Sequence, residues 1–115
     1  MGVHQEYRQK LQNPEDAVKV VKSGDWVDFG FGLSMPDLLD EALSKRVPEL
    51  GDLKIRGALA LRPVKTVEAD LGRERVFYSS WHFSGYERRL HDAGLCNYIP
   101  MIYRNKPHFY RKSLE

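Results

Sequence analysis

Two short runs of residues have the types and spacing from which a reaction site could be built. The first is Asp28-Phe29-Gly30-Phe31-Gly32-Leu33-Ser34-Met35-Pro36. An apolar stretch runs into two glycines and Pro36 then opens a helix, so the run predicts a strand, a turn and a helix N-terminus. Unpaired amides at a helix start attract negative charge, and glycines let backbone approach a ligand with no Cβ in between. Such a loop can hold a phosphate, a carboxylate or the oxyanion of a thioester under attack. It is not a Walker loop, because no Gly-Lys-Ser/Thr follows, and it is not G-x-G-x-x-G, because Met35 stands at the third glycine. The same residues equally suit a tight strand-to-helix turn with no ligand.

The second run is Ser79-Ser80-Trp81-His82-Phe83-Ser84-Gly85-Tyr86-Glu87. It also reads as a strand end entering a helix, with Ser84 as the N-cap. Open α/β sheets bind ligands at the carboxyl ends of their strands, so the two runs are expected to line one cleft. His82 is a candidate proton carrier. Spacing gives it no Asp or Glu partner, and a hydrogen-bonded structural histidine is the better reading. His4, His82, His91 and His108 lack metal-site spacing and Cys96 has no CxxC partner, so no metal is expected. A third run, Tyr103 to Lys112, interleaves Arg104, Lys106, Arg111 and Lys112 with aromatic rings. That pattern can bind single strands by charge and stacking. No RNA-binding motif accompanies it, so packing or solvated surface is the expectation, with no nucleic-acid partner.

The elements that position these runs alternate. Residues 4–11 predict a short helix. Asn13-Pro14-Glu15-Asp16 starts a second, continuing through Ala17, Val20 and Val21 to a cap at Gly24. Trp26 to Gly30 is a strand, and a helix follows from Pro36 through Leu38, Leu39, Ala42 and Leu43 until Pro48 and Gly51 stop it. Leu53 to Leu61 and Arg75 to Trp81 are strands, punctuated by Arg62-Pro63 and Leu71-Gly72. Tyr86, Leu90 and Ala93 mark a helix closed by Gly94, and Asn97 to Tyr103 is a last strand with Pro100 as its irregular point. Strands separated by helices of this length predict βαβ units in an open, mainly parallel α/β sheet with flanking helices. Ser113-Leu114-Glu115 carries no capping signal, so the polypeptide is expected to continue.

Composition sets the class. The 115 residues are 42% hydrophobic and 30% charged, which is globular rather than disordered. The net charge of +2 hides an asymmetry: residues 1–52 carry −4 and residues 53–115 carry +6. A basic second half could face an acidic ligand or simply be solvated. One cysteine cannot form an internal disulfide, no apolar run approaches a membrane span, and the first 11 residues lack a signal-peptide core. The expectation is a cytoplasmic protein with no membrane partner.

Several stretches together resemble a known family. Val18-Lys19-Val20-Val21-Lys22-Ser23-Gly24-Asp25-Trp26-Val27, leading into Gly30-Phe31-Gly32, resembles the opening of acetyl-CoA hydrolase/transferases. So does Lys54-Ile55-Arg56-Gly57-Ala58-Leu59-Ala60-Leu61-Arg62-Pro63. The most specific stretch is Trp81-His82-Phe83-Ser84-Gly85-Tyr86-Glu87-Arg88 followed by Gly94-Leu95-Cys96-Asn97-Tyr98-Ile99-Pro100-Met101. Within the family the chain is most similar to butyryl-CoA:acetate and 4-hydroxybutyrate CoA-transferases. The resemblance covers nearly the whole chain but only the first part of the family's usual length.

That resemblance implies two related α/β domains with the active site between them, residues 1–115 being the N-terminal part of the first. It implies a class I CoA-transferase whose nucleophile is a glutamate in the second domain. CoA enters as a thioester substrate and no cofactor is expected. None of Glu6, Glu15, Glu41, Glu49, Glu68, Glu74, Glu87 or Glu115 matches the nucleophile's motif, so no catalytic residue is expected here and the chain alone should be inactive. Carried over as substrate-cleft walls are Gly30, Gly32, Ser34, Met35 and Pro36, with His82, Ser84 and Gly85. Ser34 departs from the glycine expected in close relatives; its side chain would either narrow the acyl site or donate a hydrogen bond. Expected partners are an acyl-CoA, a short-chain carboxylate and the C-terminal part of the same enzyme, which when full length is expected to be a homo-oligomer. The reading from another class is a non-catalytic module holding a CoA or nucleotide phosphate on its glycine turns.

Overall fold

The structure, a computed structural model, describes residues 2–112. Four strands form one parallel sheet in the order β1-β2-β3-β4: Trp26–Phe31, Leu53–Ala58, Val76–Ser80 and Cys96–Tyr98. The predicted α/β class and parallel sheet are therefore what the chain adopts. Helices α1 (Val3–Lys10) and α2 (Pro14–Ala17) precede the sheet, and α3 (Asp37–Arg46), α4 (Lys65–Glu68) and α5 (Gly85–Asp92) connect its strands. The last helix, α6 (Lys106–Lys112), follows β4.

Strand order equal to chain order, with right-handed crossovers, puts α3, α4 and α5 on one face. The core lies there. Phe29, Leu53, Ile55, Val76, Tyr78 and Cys96 from the strands pack with Leu43, Val47, Val67 and Leu90 from the connections. Alternation sends Trp26, Asp28, Lys54, Arg56, Phe77, Ser79 and Asn97 to the other face. Helix α6 covers the carboxyl half of that second face. There Ala58, Trp81 and Met101 form a smaller apolar cluster with Ile99 and Phe109.

Several boundaries differ from the sequence reading. The second helix becomes a 3-10 turn at Val18–Val20, and β2 stops at Ala58, because Leu59 takes a left-handed φ of +49°. Strand β4 covers three residues instead of 97–103, ending ahead of Pro100, which has no N–H for a ladder. Two helices had no place in that reading, α4 and α6. Helix α4 is four residues long and has no side-chain cap of its own. The buried Asp40 of α3 caps it from a distance, accepting from the N–H groups of Lys65 (2.7 Å) and Thr66 (2.9 Å) and from Thr66 Oγ1 (2.7 Å). The stretch Ser113-Leu114-Glu115 lies outside the described residues.

Candidate active site

All four strands are parallel, so the segments that follow them emerge at one edge of the sheet. The segment after β1 is folded tightly. A Cβ on Gly30 would overlap the backbone carbonyl of Ser34, which turns back on it, so no other residue fits that position without moving the turn. Gly32 has open space around it but a φ of +58°, the left-handed region glycine enters without a steric penalty. Gly32–Ser34 is a single 3-10 turn, Met35 drops into the core, and Pro36 is the N-cap of α3.

Arg62, in the segment after β2, holds this turn from outside. Its Nη2 donates to the Met35 carbonyl at 2.9 Å, and its Nε pairs with Asp37 at 2.5 Å. The segments after β2 and β3 are likewise joined, by Leu59 N–H donating to the His82 carbonyl at 2.8 Å. The rings of Phe31 and His82 meet edge to face with centroids 5.8 Å apart, and Phe31 meets Tyr103 at 6.1 Å. Elements following β1, β2, β3 and β4 thus converge.

The His82–Gly85 turn is anchored by a buried carboxylate. Ser84 caps α5, its Oγ accepting from Tyr86 N–H at 3.2 Å. Glu87 returns the bond, its Oε2 accepting from Ser84 N–H at 2.6 Å, which completes a capping box. Glu87 Oε1 accepts from Tyr78 OH at 3.0 Å and lies 2.7 Å from Ser80 Oγ, which is also 2.9 Å from the His82 carbonyl. Burial, reinforced by the Glu87 charge, pushes the Tyr78 hydroxyl far above its ordinary pKa. Burial also pushes Tyr86 up to about 12 and the Cys96 thiol up to about 12, so neither Cys96 nor these phenols offers an anion at neutral pH.

Seven of the eight residues singled out in the sequence fall into three groups, while the eighth, Pro36, caps α3 and lines a separate groove with Val27, Phe29 and Leu39. Phe31 bridges Gly30 and Gly32 to His82. Ser84 and Gly85 line a cavity of about 320 Å³ shared with Arg62, Tyr86 and Arg89. Met35 offers only its carbonyl, since its side chain is buried, whereas Ser34 is exposed at the mouth of the turn. Sequence reasoning missed Phe31, Arg62 and Glu87 as organisers of the edge. The Ser84-x-x-Glu87 spacing is a capping-box signal that could have found the last; Arg62 is 27 residues from Met35 and carries no local signal. Among the described residues no cluster of three or more metal-ligating side chains exists.

The profile of the acetyl-CoA hydrolase/transferase N-terminal domain matches residues 1–113. The chain belongs to the acetyl-CoA hydrolase/transferase family. Curated relatives of this N-terminal domain include a butyryl-CoA:acetate CoA-transferase of Anaerostipes caccae, 38% identical over all 115 residues, and a probable butyrate:acetyl-CoA coenzyme A-transferase of Syntrophomonas wolfei, 41% identical over 108 residues and 94% of the chain. A succinyl-CoA:cyclohexane-1-carboxylate CoA transferase of Geobacter metallireducens is 31% identical over 106 residues, 92% of the chain. The chain spans 26%, 24% and 24% of these proteins, about a quarter of each. The crystal structure of RipA from Yersinia pestis shares the fold of the acetyl-CoA hydrolase/transferase domain, with a TM-score of 0.79 at 24% identity over 99% of this chain and 29% of RipA.

Proposed function

We propose that this chain is the N-terminal part of an enzyme that moves CoA between a short-chain acyl-CoA, such as butyryl-CoA, and a carboxylate such as acetate. The nucleophile is a glutamate on polypeptide beyond residue 115. Its carboxylate attacks the thioester carbonyl, the C–S bond breaks, and CoA thiolate leaves an acyl-glutamyl anhydride. The thiolate then attacks the glutamyl carbonyl of the anhydride, releasing the acyl carboxylate and forming a glutamyl-CoA thioester. The acceptor carboxylate reverses the two steps and leaves as its CoA thioester. A carboxylate is already ionised at neutral pH, so this chemistry needs positioning and oxyanion stabilisation rather than a base.

The role assigned to these 115 residues is one wall of the cleft. Gly30 to Pro36 lies nearest the thioester, and His82 to Gly85 stands beside it across the Phe31–His82 contact. The observation that carries the reading is the match over residues 1–113, because the converging edge alone would also serve a module that only holds a CoA phosphate. The enzyme is further proposed to work in the cytoplasm as a homo-oligomer. Among the described residues no helix is long and apolar enough to cross a membrane. The direct test is CoA exchange between butyryl-CoA and labelled acetate by the full-length polypeptide and by the 115-residue chain. Exchange by the former and none by the latter is expected. CoA binding without exchange by the full-length polypeptide would replace the transferase with a binding module.

A further inference from the structure

Apart from Tyr103, which meets Phe31, the run Tyr103 to Lys112 takes no part in the site described above. It carries Arg104, Lys106, Arg111 and Lys112 and no acidic residue. Among the described residues no carboxylate forms an ion pair with any of the four. Arg104, Arg111 and Lys112 are exposed. Like charges gathered on one short segment repel, and an anion bound among them offsets that repulsion.

The fold arranges part of this charge around an open pocket of about 440 Å³, lined by Tyr103, Arg104, Lys106, Pro107 and Tyr110. Both tyrosines present accessible surface, Tyr103 at 64% exposure and Tyr110 at 42%. Lys106 fixes their positions. Its Nζ lies 4.2 Å from the Trp81 ring centroid, 5.5 Å from that of Tyr110 and 5.9 Å from that of Tyr103. Tyr110 is held further by its hydroxyl, which bonds Asp28. The rings are thus in place before a ligand arrives, which lowers the ordering cost of stacking on them.

The pocket also adjoins the candidate site. The Tyr103 ring meets Phe31 at 6.1 Å, so one end touches the turn after β1. The other end lies over Asp28 and Arg56, the Arg56 guanidinium being 4.5 Å from the Tyr110 ring. Three residues of strand separate Asp28 from Phe31, about 10 Å. The pocket therefore leads from the carboxyl edge down the second face of the sheet.

Two accessible rings beside cations with no carboxylate partner suit a base that stacks and phosphates that need charge. We infer that this pocket holds the adenine nucleotide end of CoA, its base against Tyr103 and Tyr110 and its phosphates facing Arg104. The thioester lies at the other end of CoA's flexible arm, so a nucleotide here leaves it free to reach the Gly30–Pro36 turn. A pocket of this volume takes one nucleotide, whereas a nucleic-acid strand needs a row of stacking platforms. The inference rests on the proposed function, which supplies CoA as the ligand; a free adenine nucleotide offers the same chemistry.

Calorimetric titration of CoA into the full-length polypeptide tests it, on wild type, Arg104→Glu, Tyr103→Leu and Tyr103→Phe, with unfolding midpoints taken on the same samples. Arg104→Glu is expected to weaken CoA binding by about 10-fold or more. Tyr103→Leu is expected to weaken it by about 10-fold and Tyr103→Phe by no more than about two-fold, all at unchanged midpoints. ADP is expected to displace CoA from the wild type. CoA affinity within about two-fold of wild type in both Arg104→Glu and Tyr103→Leu would overturn the inference. ADP that binds alongside CoA would also overturn it, by assigning the pocket to a free nucleotide. So would a single-stranded oligothymidylate that binds in saturating CoA and is released by Arg104→Glu. Exchange of CoA between butyryl-CoA and acetate, measured in parallel, keeps the two readings apart. Exchange with CoA affinity unaltered in the variants removes the pocket and leaves the transferase. CoA binding that the variants weaken, without exchange, removes the transferase and leaves the pocket.

Discussion

Phe31 and His82 meet edge to face at 5.8 Å, and through that one contact the turn after β1 and the turn after β3 share a wall. Phe31 is 39% exposed, so much of its surface faces the edge rather than the core. An aromatic pair of this geometry contributes about 0.5–1.5 kcal/mol beyond area burial. Phe31→Ala is therefore expected to lower stability by about 2 kcal/mol, measured by urea unfolding, while Phe31→Leu recovers the area but not the ring contact. Equal stability of Phe31→Ala and wild type would show that the two turns are held together by other contacts.

The two glycines of the turn should fail for different reasons. Gly30→Ala places a Cβ into the Ser34 carbonyl and must open the turn. Gly32→Ala meets no atom but forces a Cβ at a φ of +58°, a cost of about 1 kcal/mol that Asn partly relieves. Chemical denaturation should therefore rank Gly30→Ala as the most destabilised, Gly32→Ala next and Gly32→Asn least. Equal effects for Gly30→Ala and Gly32→Ala would mean that the carbonyl of Ser34 is free to move away.

Glu87 joins the capping box of α5 to two core hydroxyls and is fully buried. Replacing it with Ala strands the Ser84 amide and the Tyr78 hydroxyl, each left unsatisfied at about 1–3 kcal/mol, while the Ser80 hydroxyl keeps the His82 carbonyl. A loss of about 3 kcal/mol or more is expected for Glu87→Ala, and a smaller one for Glu87→Gln, which keeps one carbonyl acceptor. Both variants should be read by thermal unfolding together with the near-ultraviolet signal of Tyr78. A change under 0.5 kcal/mol for Glu87→Ala would contradict the network.

The raised pKa values predict alkaline lability. Cys96 is raised from 9.0, and Tyr78 and Tyr86 from 10.0, so each is held neutral in the fold. Their contribution is complete below those unfolded values and declines above them, as the unfolded chain ionises first. Stability is expected to fall from about pH 9 upward, with Tyr78 adding about 1.4 kcal/mol per pH unit above 10. Urea titrations from pH 7 to 11 on wild type and Tyr78→Phe check this, the variant showing the shallower decline above pH 10. Parallel declines in the two proteins would remove Tyr78 from the account.

The architecture was legible where the signal was local. Apolar runs between turn residues marked β1, β2 and β3, Asn13-Pro14 and Ser84 marked helix starts, and alternation of elements implied the parallel sheet. What escaped depends on partners distant in sequence. Helix α4 exists because Asp40, 25 residues away, caps it. Helix α6 exists because Tyr110 finds Asp28 and Lys106 finds Trp81 across the sheet. Lys106 and Tyr110, which in sequence belong to a tail that could bind single strands, are engaged with the sheet, whereas Arg104, Arg111 and Lys112 are exposed. At the candidate site both glycine-bearing turns were readable, but the Arg62 clamp on the first of them was not.

We propose that the exposed Ser34, at the mouth of the Gly30–Pro36 turn, faces the substrate when the full-length polypeptide transfers CoA. Gly32 is a poor probe, since any side chain there also strains the backbone. Ser34→Phe adds bulk at an exposed position, where stability should change by no more than about 0.5 kcal/mol. The decisive measurement is the steady-state rate of CoA transfer from butyryl-CoA to acetate by the full-length polypeptide, wild type against Ser34→Phe, with unfolding midpoints taken on the same samples. The account predicts transfer by the wild type and a loss on the order of 100-fold in the variant at an unchanged midpoint. Transfer by Ser34→Phe within about two-fold of wild type at the same midpoint, against that predicted loss, or no transfer by the folded wild type, would contradict it.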